Sequence, residues 1–319
     1  MNLIRRSLVS CALFLLAAGA EAQGFPAQPV RVIVAFPAGG AIDVVARLIS
    51  ERLSAVWKQP VIVDNRSGAN GAVGTRLASK ASPDGYTLTL SNSSVLAINP
   101  ALESSLGYDP VKDFSHIGLV GVTPNILYAS QALPVRSVQD FIRFATAEPG
   151  KFTIGSGTSS AQVAADLFQS MGKIKLTHVP YKGNPEALID LITGRIDVMF
   201  VVPAAVSPGI AKRIRPLAIT TSSRQEAYPQ LPTVSESGLS GYEAVSWISL
   251  SAPAGLPEQI RNKLHADLNQ VLSAPDVQKR LIELGITPRS SPKPSEFTDF
   301  VIAETVKWQG VVNSSSSKK

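Results

Sequence analysis

Two short glycine-bearing stretches hold the residues best placed to do chemistry. The first is Pro37-Ala38-Gly39-Gly40-Ala41, which leads from an apolar run ending at Phe36 into a helical pattern carrying Asp43. Glycines let a backbone approach a bound group closely. The first turn of a helix offers free N–H groups and the positive end of its dipole, which together favour a carboxylate or phosphate. No G-x-x-x-x-G-K-[ST] follows, so this is not a Walker loop. Asp43 in that first turn either bonds to the exposed backbone N–H groups or touches the ligand. The second stretch, Gly155-Ser156-Gly157-Thr158-Ser159-Ser160, repeats the arrangement with hydroxyls added. Ser159 or Ser160 can serve as an N-cap, as a ligand donor, or as both. Two helix starts facing one cleft would grip an anion from both sides.

Other candidates surround these. Tyr181-Lys182-Gly183 follows a strand end, where Tyr181 would stack on or bond a ligand and Lys182 would add charge; the alternative is a strand-end tyrosine beside a solvated lysine. Asn92 and Ser93 close another strand and offer neutral donors. Asp197 either holds a loop or hinge, or accepts from an amine on the ligand. Gly68 to Gly74 lacks the tight start of a dinucleotide fingerprint and reads as a turn opening a helix.

Catalytic constellations are missing. There is no G-x-S-x-G, and no histidine lies near Ser159 or Ser160 in sequence. His116, His178 and His265 share no metal-ligand spacing, and Cys11 is the sole cysteine. Neither an enzyme, a cofactor nor a metal is expected.

The elements that must position these residues alternate. Val30–Phe36 reads as a strand buried on both faces, and Ala41–Trp57 has apolar residues at helical spacing. Strands at Val61–Asp64 and Thr87–Ser91 flank a helix from Gly71 to Ala81. The pattern resumes with strands at Thr153–Gly155, Thr177–Tyr181, Asp197–Val202 and Leu217–Thr221, separated by helices. Pro257–Leu272, Pro275–Leu284 and Pro294–Val311 read as helices opening near prolines. Such strand–helix units imply mostly parallel sheets. Two strand-like passages, Ile117–Ser130 and Gly241–Pro253, break the alternation and read as crossings between two lobes. The expected division is lobe 1 from residues 23–124 plus 245–319, and lobe 2 from 125–244.

At the start, Arg5 and Arg6 precede an apolar run from Leu8 to Ala18 and the small-residue site Ala20-Glu21-Ala22. This order reads as a signal peptide, residues 1–22, cleaved after Ala22, and the run is too short to span a membrane. Periplasmic location follows as an expectation. The net charge of +6 is mostly dispersed, which argues against nucleic-acid binding.

From Pro29 to Trp308 the landmarks, in order, resemble the Bug family of solute-binding proteins of tripartite tricarboxylate transporters. They include Phe36-Pro37-Ala38-Gly39-Gly40 with Asp43, Val63-Asp64-Asn65-Arg66, Pro83-Asp84-Gly85-Tyr86, Ile98-Asn99-Pro100, Tyr108-Asp109-Pro110, Val179-Pro180-Tyr181-Lys182-Gly183 and Gly194-Arg195-Ile196-Asp197. The resemblance implies an α/β type II periplasmic-binding-protein fold with two hinge crossings. It also implies a ligand carboxylate held mainly through backbone groups and ordered waters of the Ala38–Ala41 and Thr158–Ser160 loops. A monomer is expected. Partners would be membrane permease subunits or, alternatively, a sensor kinase. Gln162 stands where many members carry histidine, and Val201-Val202-Pro203 replaces a more polar stretch, so a less polar distal pocket is expected.

Overall fold

The computed structural model describes residues 24–103, 105–181 and 183–316. The expected signal peptide and Lys182 lie outside the described residues.

Strand β1 (Val30–Val34) buries every residue but Arg31. It leads into helix α1 (Ala41–Trp57), whose Val45, Ile49, Leu53 and Trp57 form one buried stripe. Strand β2 (Val61–Asn65), helix α2 (Ala72–Ser79) and strand β3 (Thr87–Asn92) follow. After β3 the chain makes a wide π-type turn over Ser94–Ile98 and a short helix α3 (Asn99–Leu102), then enters the long strand β4 (Phe114–Pro124).

The middle of the chain builds strand β5 (Ile126–Ser130), helix α4 (Val138–Ala147), strand β6 (Thr153–Ser156) and helix α5 (Ser159–Gly172). Strand β7 (Thr177–Pro180), helix α6 (Asn184–Thr193), strand β8 (Val198–Val201), helix α7 (Pro208–Ala211) and strand β9 (Ile214–Ile219) complete it. The chain then returns as strand β10 (Val245–Pro253), helices α8 (Glu258–Ser273) and α9 (Pro275–Glu283), strand β11 (Thr287–Pro288) and helix α10 (Pro294–Ser316).

These strands form two sheets, ordered β11-β4-β10-β3-β1-β2 and β7-β6-β8-β5-β9. Both are mixed, where mostly parallel sheets were expected. β1 pairs parallel with β2 and β3, but β10 runs antiparallel to β3 and β4. Likewise β6 is parallel to β7 and β8, while β5 is antiparallel to β8 and β9. The cause is topological. β4 and β5 carry the chain out of the first lobe and β9 and β10 carry it back, so β4 opposes β10 and β5 opposes β9.

The two passages meet. Asn125 donates its backbone N–H to Thr220 Oγ1 at 2.9 Å and accepts from the Thr220 backbone N–H at 3.0 Å. Its side-chain amide reaches the Ala244 carbonyl at 3.4 Å. Helix α10 then packs on both lobes. The indole N–H groups of Trp247 and Trp308 both donate to Glu304 Oε2, at 3.1 and 3.0 Å. Phe297 and Phe300 pack on the Trp247 ring at 5.8 and 5.5 Å. That cluster continues into Ala161, Phe168 and Tyr242 of the second lobe. Each such aromatic pair adds about 1 kcal/mol beyond its buried area.

Candidate functional site

Strand polarity places the candidate loops. β4 leaves the first lobe at its C-terminal end, and β10, its antiparallel neighbour, enters there. The C-terminal ends of β3 and β1 therefore point toward the second lobe. By the same logic β8, antiparallel to β5, ends beside the crossing, and β6 and β7 end with it. The loop after β1 and the loops after β6 and β7 thus lie on facing rims.

On the first rim Pro37, Ala38, Gly39, Gly40 and Ala41 are exposed. Gly39 takes a φ of 79°, which favours glycine. Gly40 is the N-cap of α1 and supplies no side-chain cap, so the helix opens onto this rim with its first-turn N–H groups lacking intrahelical acceptors. Asp43 is buried, 2% exposed. Its Oδ2 accepts from the Gly39 N–H at 2.8 Å and from Arg47 Nε at 2.9 Å, while Oδ1 accepts from Asn65 Nδ2 at 2.9 Å. Arg47 beside it, with the Gly39 and Asn65 donors, outweighs burial and holds its carboxyl at about 2. Both oxygens are thus committed to protein donors, and Asp43 braces the loop. Asn65 also donates to the Phe36 carbonyl at 3.1 Å. It ties the end of β2 to the rim, a role its place in sequence did not reveal.

On the second rim the capping residue is Thr158, whose Oγ1 accepts from the Ala161 N–H at 3.1 Å. Ser159 and Ser160 were the expected caps; both turn toward the first lobe instead. Ser159 Oγ donates to Asn99 Oδ1 at 3.2 Å, and Ser160 Oγ lies 2.7 Å from Ser246 Oγ. Neither bonds a base. The loops after β6 and β7 touch at Gly157, where a Cβ would sit 2.5 Å from the Asn184 backbone nitrogen. Gly183, in extended backbone, is the N-cap of α6 and provides no side-chain cap.

Tyr181 spends its hydroxyl within the second lobe, donating to Asp190 Oδ2 at 2.9 Å. Burial, reinforced by Asp190, pushes this phenol up to about 12. Its ring lies against Gly155. Of the donor pair closing β3, Asn92 Oδ1 accepts from the Val95 N–H at 3.4 Å, and Ser93 is fully buried. Asp197 is displaced from the others. It precedes β8, so it lies at the opposite end of the sheet, where its Oδ2 accepts from the Thr153 N–H and Oγ1 at 2.7 and 2.8 Å. There it ties the entry of β6 to that of β8.

Two further features escaped the sequence. Ser156 Oγ and His178 Nε2 lie 2.6 Å apart, a pair 22 residues distant in the chain that only adjacent strands bring together; Ser156 is 4% exposed and so closed to a substrate. The residues Gly68, Ala69, Asn70 and Gly71 all have positive φ, 135°, 46°, 50° and 91°. For Ala69 and Asn70 that conformation costs about 1 kcal/mol or more each. Among the described residues no group of three or more His, Cys, Asp or Glu could hold a metal ion, and no helix is long and apolar enough to cross a membrane.

Comparison with known proteins follows the same outline. Residues 45–316 match the model of the tripartite tricarboxylate transporter family receptor. Protein BugT of Bordetella pertussis is 33% identical over 95% of this chain and 94% of its own. Among solved structures, that of R. palustris Rpa4515 with adipate is 34% identical, covers 92% of this chain and 98% of its own, and has a TM-score of 0.82. MatC (Rpa3494) from Rhodopseudomonas palustris with bound malate is 30% identical, covers 90% of this chain and 100% of its own, and has a TM-score of 0.78.

Proposed function

Because this chain belongs to the tripartite tricarboxylate transporter receptor family, we propose that it captures a small organic acid between its two lobes in the periplasm and delivers it to a membrane permease. It binds a solute and does not transform one. The observation that carries the carboxylate reading is the uncapped start of α1, exposed beside Gly39 and Gly40 and opposite the Thr158–Ser160 helix start. Such amides favour an anion without needing a neighbouring cation. Adipate and malate in relatives of 34% and 30% identity point the same way. In this proposal the amides of Ala38–Ala41 and Thr158–Ser160 line the cleft, with the Tyr181 ring, Lys182 and Gly183 beside them. Asp43 holds the first rim in shape. Export rests on Arg5, Arg6, the apolar run and Ala20–Ala22.

A thermal-shift panel of mono-, di- and tricarboxylates on the mature chain tests the ligand class. A ligand that binds only the folded form raises the melting temperature by mass action. A rise with a carboxylate and none with neutral sugars is expected; the reverse pattern overturns the proposal. Uptake of the identified acid by cells lacking the gene tests the permease partner, and unchanged uptake excludes it.

A further inference from the structure

Asn99 stands where the first lobe meets the second. It is 5% exposed and directly follows the wide turn Ser94–Ile98. Its Nδ2 donates to the Asn70 carbonyl at 2.9 Å, inside the left-handed run of the first lobe. Its Oδ1 accepts from Ser159 Oγ at 3.2 Å, in the first turn of α5 in the second lobe. One amide thus uses its donor end on one lobe and its acceptor end on the other. The Asn70 carbonyl, which can only accept, fixes which end is nitrogen.

The surroundings hold Asn99 in place. The turn that sets its position is also held from outside: Tyr108 donates to the Val95 carbonyl at 2.6 Å. The run Gly68–Gly71 packs tightly on the same turn, since a Cβ at Gly71 would fall 2.5 Å from Val95 Cγ1. A strained run is kept only where its neighbours over-determine it, and here the Asn99 amide is one of those neighbours.

We infer that Asn99 is a positioning residue for solute capture: it registers the Gly68–Gly71 loop of one lobe against the Ser159 helix start of the other, and so sets how long the closed cleft retains its ligand. This rests on the carboxylate-capture reading above. The side chain need not touch the solute. It acts through the bond to Ser159, which ties the first lobe to the start of α5 in the second.

The test uses the mature chain and the carboxylate giving the largest wild-type thermal shift, with adipate and malate in the panel. Stopped-flow kinetics are measured for wild type, Asn99→Asp and Ser159→Ala. Asn99→Asp keeps the shape but sets a carboxylate oxygen against the Asn70 carbonyl; Ser159→Ala removes only the cross-lobe donor. Dissociation about tenfold faster in both is expected, the scale of one or two lost hydrogen bonds, with association changed less than twofold. Ser159→Ala is also expected to unfold within a few degrees of wild type, which separates positioning from folding. Unchanged dissociation in Ser159→Ala overturns the inference while leaving carboxylate capture intact. A wild-type protein that binds no carboxylate overturns both.

Discussion

Asp43 Oδ2 accepts the backbone N–H of Gly39, four residues earlier, at 2.8 Å. The helix thus reaches back to fasten the loop that leads into it. Asp43→Ala removes acceptors for Gly39, Arg47 and Asn65 together, so a stability loss of about 1–3 kcal/mol is expected, with solute affinity falling about tenfold. Denaturant unfolding and calorimetric titration check the two effects. Because its folded pKa lies near 2, below the ordinary 3.8, the carboxylate's contribution is complete above about pH 4. It fades only as pH falls toward 2.

Gly157→Ala should separate the two loops of the second rim. The added carbon would meet the Asn184 nitrogen and the Gly183 carbonyl carbon at 2.5 Å each, both backbone atoms that cannot swing aside. A cost of about 1–3 kcal/mol is expected, with solute binding weakened at least tenfold. Retained affinity, measured by calorimetry, would argue that these loops carry little of the binding.

His116 makes stability depend on mild acid. It is 1% exposed between β4 and its neighbours, with Nε2 3.0 Å from the Pro110 carbonyl and Nδ1 3.1 Å from Ser251 Oγ. Burial, opposed only in part by the Pro110 bond, lowers its pKa from 6.5 to about 4. The unfolded chain therefore takes up the proton first, and stability falls as pH drops from about 6.5 to about 4. The full loss is on the order of 3 kcal/mol. Chemical denaturation at pH 7 and pH 4.5 should show the drop, and His116→Gln should flatten it.

Thr220→Val tests the crossing. The hydroxyl accepts from the Asn125 N–H and donates to the Asn125 carbonyl at 3.0 Å. The isosteric change leaves a buried N–H unpaired, for an expected loss of about 1–3 kcal/mol. Small-angle scattering of the ligand-free variant should show a wider spread of lobe separations than wild type.

Local chemistry made some of this legible in the sequence. The stripe Val45, Ile49, Leu53 announces α1, and the alternation of strands with helices announces the α/β class. What stayed hidden depends on partners far along the chain. Asn65 and Asn99 are ordinary polar residues until β2 lies beside β1 and α5 swings its start against the first lobe. Asp197 closes the Gly194-Arg195-Ile196-Asp197 motif on which the family resemblance partly rests, yet strand direction puts it at the far end of the sheet. Tyr181 cannot announce that Asp190, nine residues on, takes its hydroxyl. The mixed sheets were obscured because β4 and β10 are separated by more than a hundred residues and pair only after both crossings form.

The contact between Asn125 and Ala244 has a consequence for how such molecules diversify. The middle segment leaves and rejoins the first lobe at points already hydrogen-bonded to each other. It behaves as a cassette with a common entry and exit. Recombination that exchanged it between relatives would join chain ends already in register, with no spacer to invent. A new rim could then be tried against an old one in a single genetic event, leaving α10 and its tryptophan anchor to dock against the replacement.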